Sequence, residues 1–95
     1  MMLEWSKQAL KDRENIFDYI SKENVPAAIR TDIRIRDHIS QLLIFPESGR
    51  KGRLAETREL IVPETHFIVV YAVLPSTPNK IKILRVLHSA RQWPE

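Results

Sequence analysis

Cysteine is absent from the 95 residues. A disulfide framework and a thiolate metal site are therefore excluded, and a reducing cytoplasm is the compartment this composition suits. Glycine is scarce as well, with only Gly49 and Gly52, and no low-complexity stretch appears. With 43% apolar residues, a folded chain is expected rather than a disordered one. No apolar run approaches the roughly 20 residues that a helix needs to cross a bilayer; the longest, 67–74, is strand-like. Residues 1–5 carry no basic segment followed by an apolar stretch, so no secretory signal is expected. The length fits one small domain, 1–95, with limited stability to spare.

What is present is unevenly charged. The formal charge is +3. Through Pro46 seven Lys/Arg balance seven Asp/Glu, whereas from Glu47 onward eight face five. A positive field over the second half favours encounter with nucleic acid or an acidic protein segment, although an excess of this size serves solubility too.

Met2, Leu3, Glu4 and Trp5 form a short edge-like strand, and Ser6 supplies an oxygen for the open amides of a helix beginning at Lys7. Ala9, Leu10, Ile16, Phe17 and Ile20 give that helix an apolar face up to about Lys22. Asn24, Val25 and Pro26 break and restart the chain. A second helix follows with a broad apolar side of Ile29, Ile33, Ile35, Ile39, Leu42, Leu43 and Ile44, and Pro46 stops it soon after Phe45. Residues 47–56 are polar, hold both glycines and carry Arg50, Lys51 and Arg53, which reads as a mobile basic loop. Three β-rich stretches complete the chain: 57–62, 66–73, and 83–94, the last carrying cations out to an aromatic end. Turns are expected at 63–65 and 75–79. The fold class is thus α+β, an N-terminal helical hairpin packed on one face of a small, mainly antiparallel sheet.

Strict alternation in the last strand sends Ile81, Ile83, Arg85 and Leu87 to one face, so Arg85 interrupts an apolar row and needs a partner, for which Glu59 or Glu56 is available. His88 lies between Arg85 and Arg91 and is the histidine placed for proton transfer, although a strand-end histidine commonly just bonds backbone. His38 and His66 have no companion at metal-ligand spacing, so neither a metal nor a cofactor is expected. Arg50, Lys51, Arg53, Arg58 and Arg91 form the densest basic group, and Trp93 offers a stacking surface beside them. The bland alternative leaves the loop solvated and the tryptophan docked on the core.

Taken in order, the short strand, the two helices, Gly49-Arg50-Lys51-Gly52-Arg53, the stretch Thr57-Arg58-Glu59-Leu60-Ile61-Val62, Val69-Val70-Tyr71, and the ending Arg85-Val86-Leu87-His88-x-Ala90-Arg91-x-Trp93-Pro94 resemble the RelE/ParE superfamily of toxins from type II toxin–antitoxin systems. The resemblance is closer to the ParE branch, known for poisoning DNA gyrase, than to the RelE branch, which cuts messenger RNA in the ribosome. Ribonuclease members tend to carry an arginine just before the Val-Tyr core, where this chain has Phe67 and Ile68. They also tend to have lysines on the preceding strand, where Glu59, Leu60 and Ile61 stand, and a tyrosine near the end that is missing here. The resemblance implies a cytoplasmic, growth-inhibiting, plasmid-stabilising protein neutralised by a cognate antitoxin, meeting operator DNA only through the antitoxin complex, and having no membrane role. Target contacts then fall to Arg50, Lys51, Arg53, Arg58, Arg91 and Trp93, with no catalytic residue required, since trapping an enzyme–DNA intermediate needs only a binding surface. The ribosome-dependent, metal-independent ribonuclease is the alternative, with Arg85, His88 and Arg91 as its catalytic set, and a non-toxic nucleic-acid-binding module is a third reading.

Overall fold

The computed structural model describes residues 1–75 and 79–94; the expected turn at 75–79 therefore falls partly outside the described residues. The first helix, α1 (Lys7–Ser21), starts where Ser6 Oγ accepts the Ala9 amide at 2.9 Å. The second, α2 (Val25–Gln41), starts where Asn24 Oδ1 accepts the Ala27 amide at 3.0 Å, with Pro26 in the first turn where no amide is missed. It ends earlier than the apolar pattern suggests, because residues 42–44 continue as turns. Around the hairpin run β1 (Met2–Trp5), β2 (Arg50–Lys51), β3 (Arg58–Ile61), β4 (Phe67–Leu74) and β5 (Lys80–His88). They form a sheet in the order β1-β5-β4-β3-β2, antiparallel throughout except that β1 lies parallel to β5.

The helices cover one face. Ala9, Ile35, Ile39 and Leu42 are buried against Val62, Val69, Tyr71, Ile81, Ile83 and Val86 in a single cluster, each large aliphatic contributing about 1.5–3 kcal/mol. The other face carries a smaller cluster of Ile68, Val70 and Leu87, with Leu84 and Trp93 packed on it. The broad apolar side of α2 is only partly used: Ile29, Ile33, Leu43 and Ile44 stay exposed, because the sheet contact takes the stripe through Ile35, Ile39 and Leu42.

Two features of the sheet depart from simple alternation. Val70 stands opposite Arg85 but Tyr71 stands opposite Ile83, so Leu84 is a bulge residue. Beyond it the pleat is reversed: Val86, not Leu87, faces the helices, and Arg85 leaves the row of Ile81 and Ile83. Ser6 marks the same spot, its hydroxyl donating to the Leu84 carbonyl at 2.9 Å while its amide donates to the Ile83 carbonyl. The second departure is β2, a strand inside the segment expected to be a mobile loop. Its neighbours are tied to the core: Tyr71 Oη, fully buried, donates to the Pro46 carbonyl at 2.8 Å and accepts the Gly49 amide at 2.9 Å. The third β-rich stretch also ends sooner than expected, at His88, after which the tail folds back over the sheet.

The hairpin is cross-linked by Arg13 and Asp32, two parallel bonds of 2.6 and 2.9 Å, with the Arg13 guanidinium 5.2 Å from the Trp5 ring. Hydrogen bonding to Arg13 holds the Asp32 carboxyl below the ordinary aspartate range. A folded-state value lowered in this way gives stability that is full at neutral pH and is lost as the pH falls through the aspartate range. Asp32→Asn should therefore lower stability at pH 7 by about 0.5–1 kcal/mol, the scale for a partly solvated pair, and should flatten the acid limb of a stability–pH profile measured by urea denaturation. An unchanged acid limb would show that the pair does not set it.

Candidate functional site

The sheet separates the predicted contact residues. Glu59 and Val70 pair across β3 and β4 on the face away from the helices, and Arg58 and Tyr71 pair on the helix face. On the far face the Glu59 carboxylate, 2% exposed, is surrounded by donors: Arg50 Nη2 at 3.2 Å, the Arg53 amide at 3.0 Å, and Arg53 Nε at 3.6 Å. Arg53 Nη1 also donates to the Trp93 carbonyl at 3.1 Å. Glu59 was expected to compensate Arg85; instead it organises β2 and its loop. Lys51 and Arg58 turn the other way and line a cleft of about 640 Å³ with Glu47, Glu56 and Thr57. Arg58 Nη1 is spent on the Glu47 and Gly49 carbonyls, at 3.2 and 2.8 Å. The Lys51 side chain makes no ion pair or hydrogen bond among the described residues.

Arg85 finds its partner on α1, in neither of the expected glutamates. Asp12 accepts Arg85 Nε at 2.8 Å, Arg85 Nη2 at 3.1 Å, the Val86 amide at 2.9 Å and Gln8 Nε2 at 3.2 Å. β1 stops pairing with β5 at Ile83, so the Asp12 side chain takes the place of a neighbouring strand at the open edge. Asp12 sits between Ala9 and Ile16 on the apolar stripe of its helix, a spacing that marks a carboxylate for burial, although only the two glutamates were expected as partners for Arg85. The Arg85 guanidinium also lies 5.2 Å from the centre of the Trp93 ring. Trp93 is thus half-buried between a cation and the Ile68–Val70–Leu87 cluster, and its Nε1 is buried without a partner among the described residues.

His88 faces the opposite way from Arg85. Its Nδ1 accepts the Ala90 amide at 3.1 Å, so in this arrangement the ring proton sits on Nε2. The ring stacks on His66 with centroids 5.6 Å apart and meets the edge of Phe67 at 5.7 Å. His88 and Arg91 line a cleft of about 400 Å³ between α1 and the end of β5, together with Asn15, Ile16, Tyr19 and Phe67. Arg85 does not line it. The three residues of the ribonuclease alternative are therefore not gathered around one point: one is sealed in an ion pair beneath Trp93, and the histidine offers a donor where a base would need a lone pair. His38 bonds the Arg34 carbonyl of its own helix at 2.9 Å. Among the described residues no three His, Cys, Asp or Glu side chains gather as a metal site.

Three comparisons bear on this arrangement. A family model described as "ParE toxin of type II toxin-antitoxin system, parDE" matches residues 3–93. The putative toxin Y4kP of Sinorhizobium fredii is 34% identical over 93 residues, spanning 98% of this chain and 93% of the relative, and toxin RelE2 of Caulobacter vibrioides is 33% identical over 87 residues, spanning 92% and 93%. Among solved structures, a chain of the chromosomal ParDE system of P. aeruginosa superposes with a TM-score of 0.81 at 23% identity, covering 93% of this chain and 95% of that one, which shows a shared fold.

Proposed function

Because the chain belongs to the ParE toxin family of type II toxin–antitoxin systems, we propose that it arrests growth by binding DNA gyrase on cleaved DNA, without bond-breaking chemistry of its own, until its cognate antitoxin removes it. The observation that carries this reading is the separation of Arg85 from the cleft that His88 and Arg91 share. Cleavage of RNA by its own 2′-hydroxyl needs a base, an acid and cations converging on one phosphate. Here Arg85 is held by Asp12, and the His88 nitrogen that would act as base is filled by the Ala90 amide. Stabilising a cleaved complex needs only differential affinity for it, which a charged surface supplies.

Arg50, Arg53 and Arg58 carry structural duties in β2 and its turns, so replacing them confounds contact with fold. Lys51 is the clean probe. Wild-type protein should block supercoiling by purified gyrase and accumulate protein-linked DNA breaks, while sparing messenger RNA on programmed ribosomes. Lys51→Glu should weaken that inhibition about 3- to 10-fold, as expected for reversing one contact charge, with stability unchanged within about 0.5 kcal/mol. Cleaved message with intact supercoiling would establish the ribonuclease instead.

A further inference from the structure

The cleft between α1 and the end of β5 has a composition that target binding by the basic loop leaves unused. Its lining is apolar at Ile16 and Phe67 and polar at Asn15, Tyr19, His88 and Arg91, and the Asp12 carboxylate that also lines it is compensated by Arg85. Tyr19 is 77% exposed, the most exposed large apolar side chain on the described surface. It sits on the side of α1 away from Leu10 and Phe17 and belongs to neither apolar cluster. The proton on His88 Nε2 makes the ring a donor, and the ring is steadied by its stack on His66, which does not itself line the cleft.

We propose that this cleft binds one unpaired nucleotide, its phosphate against Arg91 and the His88 Nε2–H and its base against the Tyr19 ring. The chemistry favours a nucleotide over an acidic peptide because π surfaces and donors occur together. A carboxylate would use the Arg91 and His88 donors and leave the Tyr19 ring idle, whereas a base has a flat face for it, and the Asn15 amide offers both a donor and an acceptor to a base edge. The same logic selects an unpaired strand: in a duplex the base faces are already stacked on each other. No cleavage is involved, and the site does not depend on gyrase being the target.

The test uses full-length protein and a short fluorescein-labelled oligothymidylate, read by anisotropy. The single strand should bind more tightly than a duplex of the same length, and oligouridylate should bind comparably, since base and phosphate are common to both. Tyr19→Ala should weaken binding by about 5- to 10-fold, within the range for losing one base-stacking contact, while Tyr19→Phe retains it. Arg91→Gln should weaken binding and reduce the slope of log K against log salt by about 0.7, one single-strand phosphate. Tyr19 is exposed, so Tyr19→Ala should melt like wild type, and the melt of Arg91→Gln is recorded beside its binding so that loss of a contact within the protein is told apart from loss of the phosphate. Absence of binding, a preference for duplex, wild-type affinity in Tyr19→Ala, or displacement of the oligonucleotide by an equimolar glutamate-rich peptide would each overturn the proposal. Gyrase inhibition is measured separately, so single-strand binding without it leaves this site standing and removes only the gyrase reading.

Discussion

Replacing Asp12 by alanine should remove about 3–5 kcal/mol of folding stability, the scale for stranding a buried charge. The carboxylate is 7% exposed and Arg85 is 14% exposed at its side chain. Taking Asp12 away leaves the guanidinium without its counter-ion and the Val86 amide without an acceptor, at an edge where β1 has already ended. For a chain of this size the total is about 5–15 kcal/mol, so one side chain accounts for a large part of it. In a thermal melt the loss corresponds to a drop of roughly 15–30 °C. Adding Arg85→Met to Asp12→Ala should recover about 2 kcal/mol, because an apolar replacement needs no partner. A double variant no more stable than the single would mean that Arg85 finds solvent once released, and that the cost lies in the Val86 amide alone.

Tyr71→Phe is expected to cost about 2–3 kcal/mol, more than an average hydrogen bond, because its hydroxyl serves two backbone groups where water does not reach. The Gly49 amide and the Pro46 carbonyl both lose their partner. The site cannot close around the gap, since it is built tightly: a methyl group on Gly49 would lie 2.7 Å from the Tyr71 ring and hydroxyl and 3.0 Å from the Glu59 carbonyl. The damage should be local first. Amide exchange at Gly49 should accelerate far beyond the change at Ile83, and β2 should loosen with it. Uniform acceleration across the sheet would instead show that the turn opens only with global unfolding.

Much of this architecture was legible from the sequence, and the exceptions share a cause. Ser6 announced the first helix start because capping is local chemistry, Pro26 announced the second because a first turn tolerates it, and β-branched runs announced β3 and β4. Strand β2 was not legible, because two polar residues have no pattern of their own; they are held by Glu59, which lies beyond the loop. The bulge at Leu84 was hidden for a related reason. Ile81, Ile83, Arg85 and Leu87 alternate perfectly on paper, and only the Ser6 hydroxyl and the Asp12 carboxylate, both from the other end of the chain, impose the break. The basic group read as one patch proved to be divided by the sheet, since neighbours such as Arg50 and Lys51 necessarily point to opposite faces. Tyr19 and Asn15 escaped notice because nothing in their spacing links them to His88; the cleft exists only once the end of β5 comes past α1.

Strand β5 lies between β4, its predecessor, and β1, the first element of all. Without β5 the first strand has no neighbour, Asp12 has no counter-charge, and the helices keep only the part of their floor that Val62, Val69 and Tyr71 supply. The Asp12–Arg85 pair and the cleft that His88 shares with Ile16 and Tyr19 therefore exist only where the two ends of the sequence meet, whereas the cleft beside Lys51 and Arg58 is built without β5.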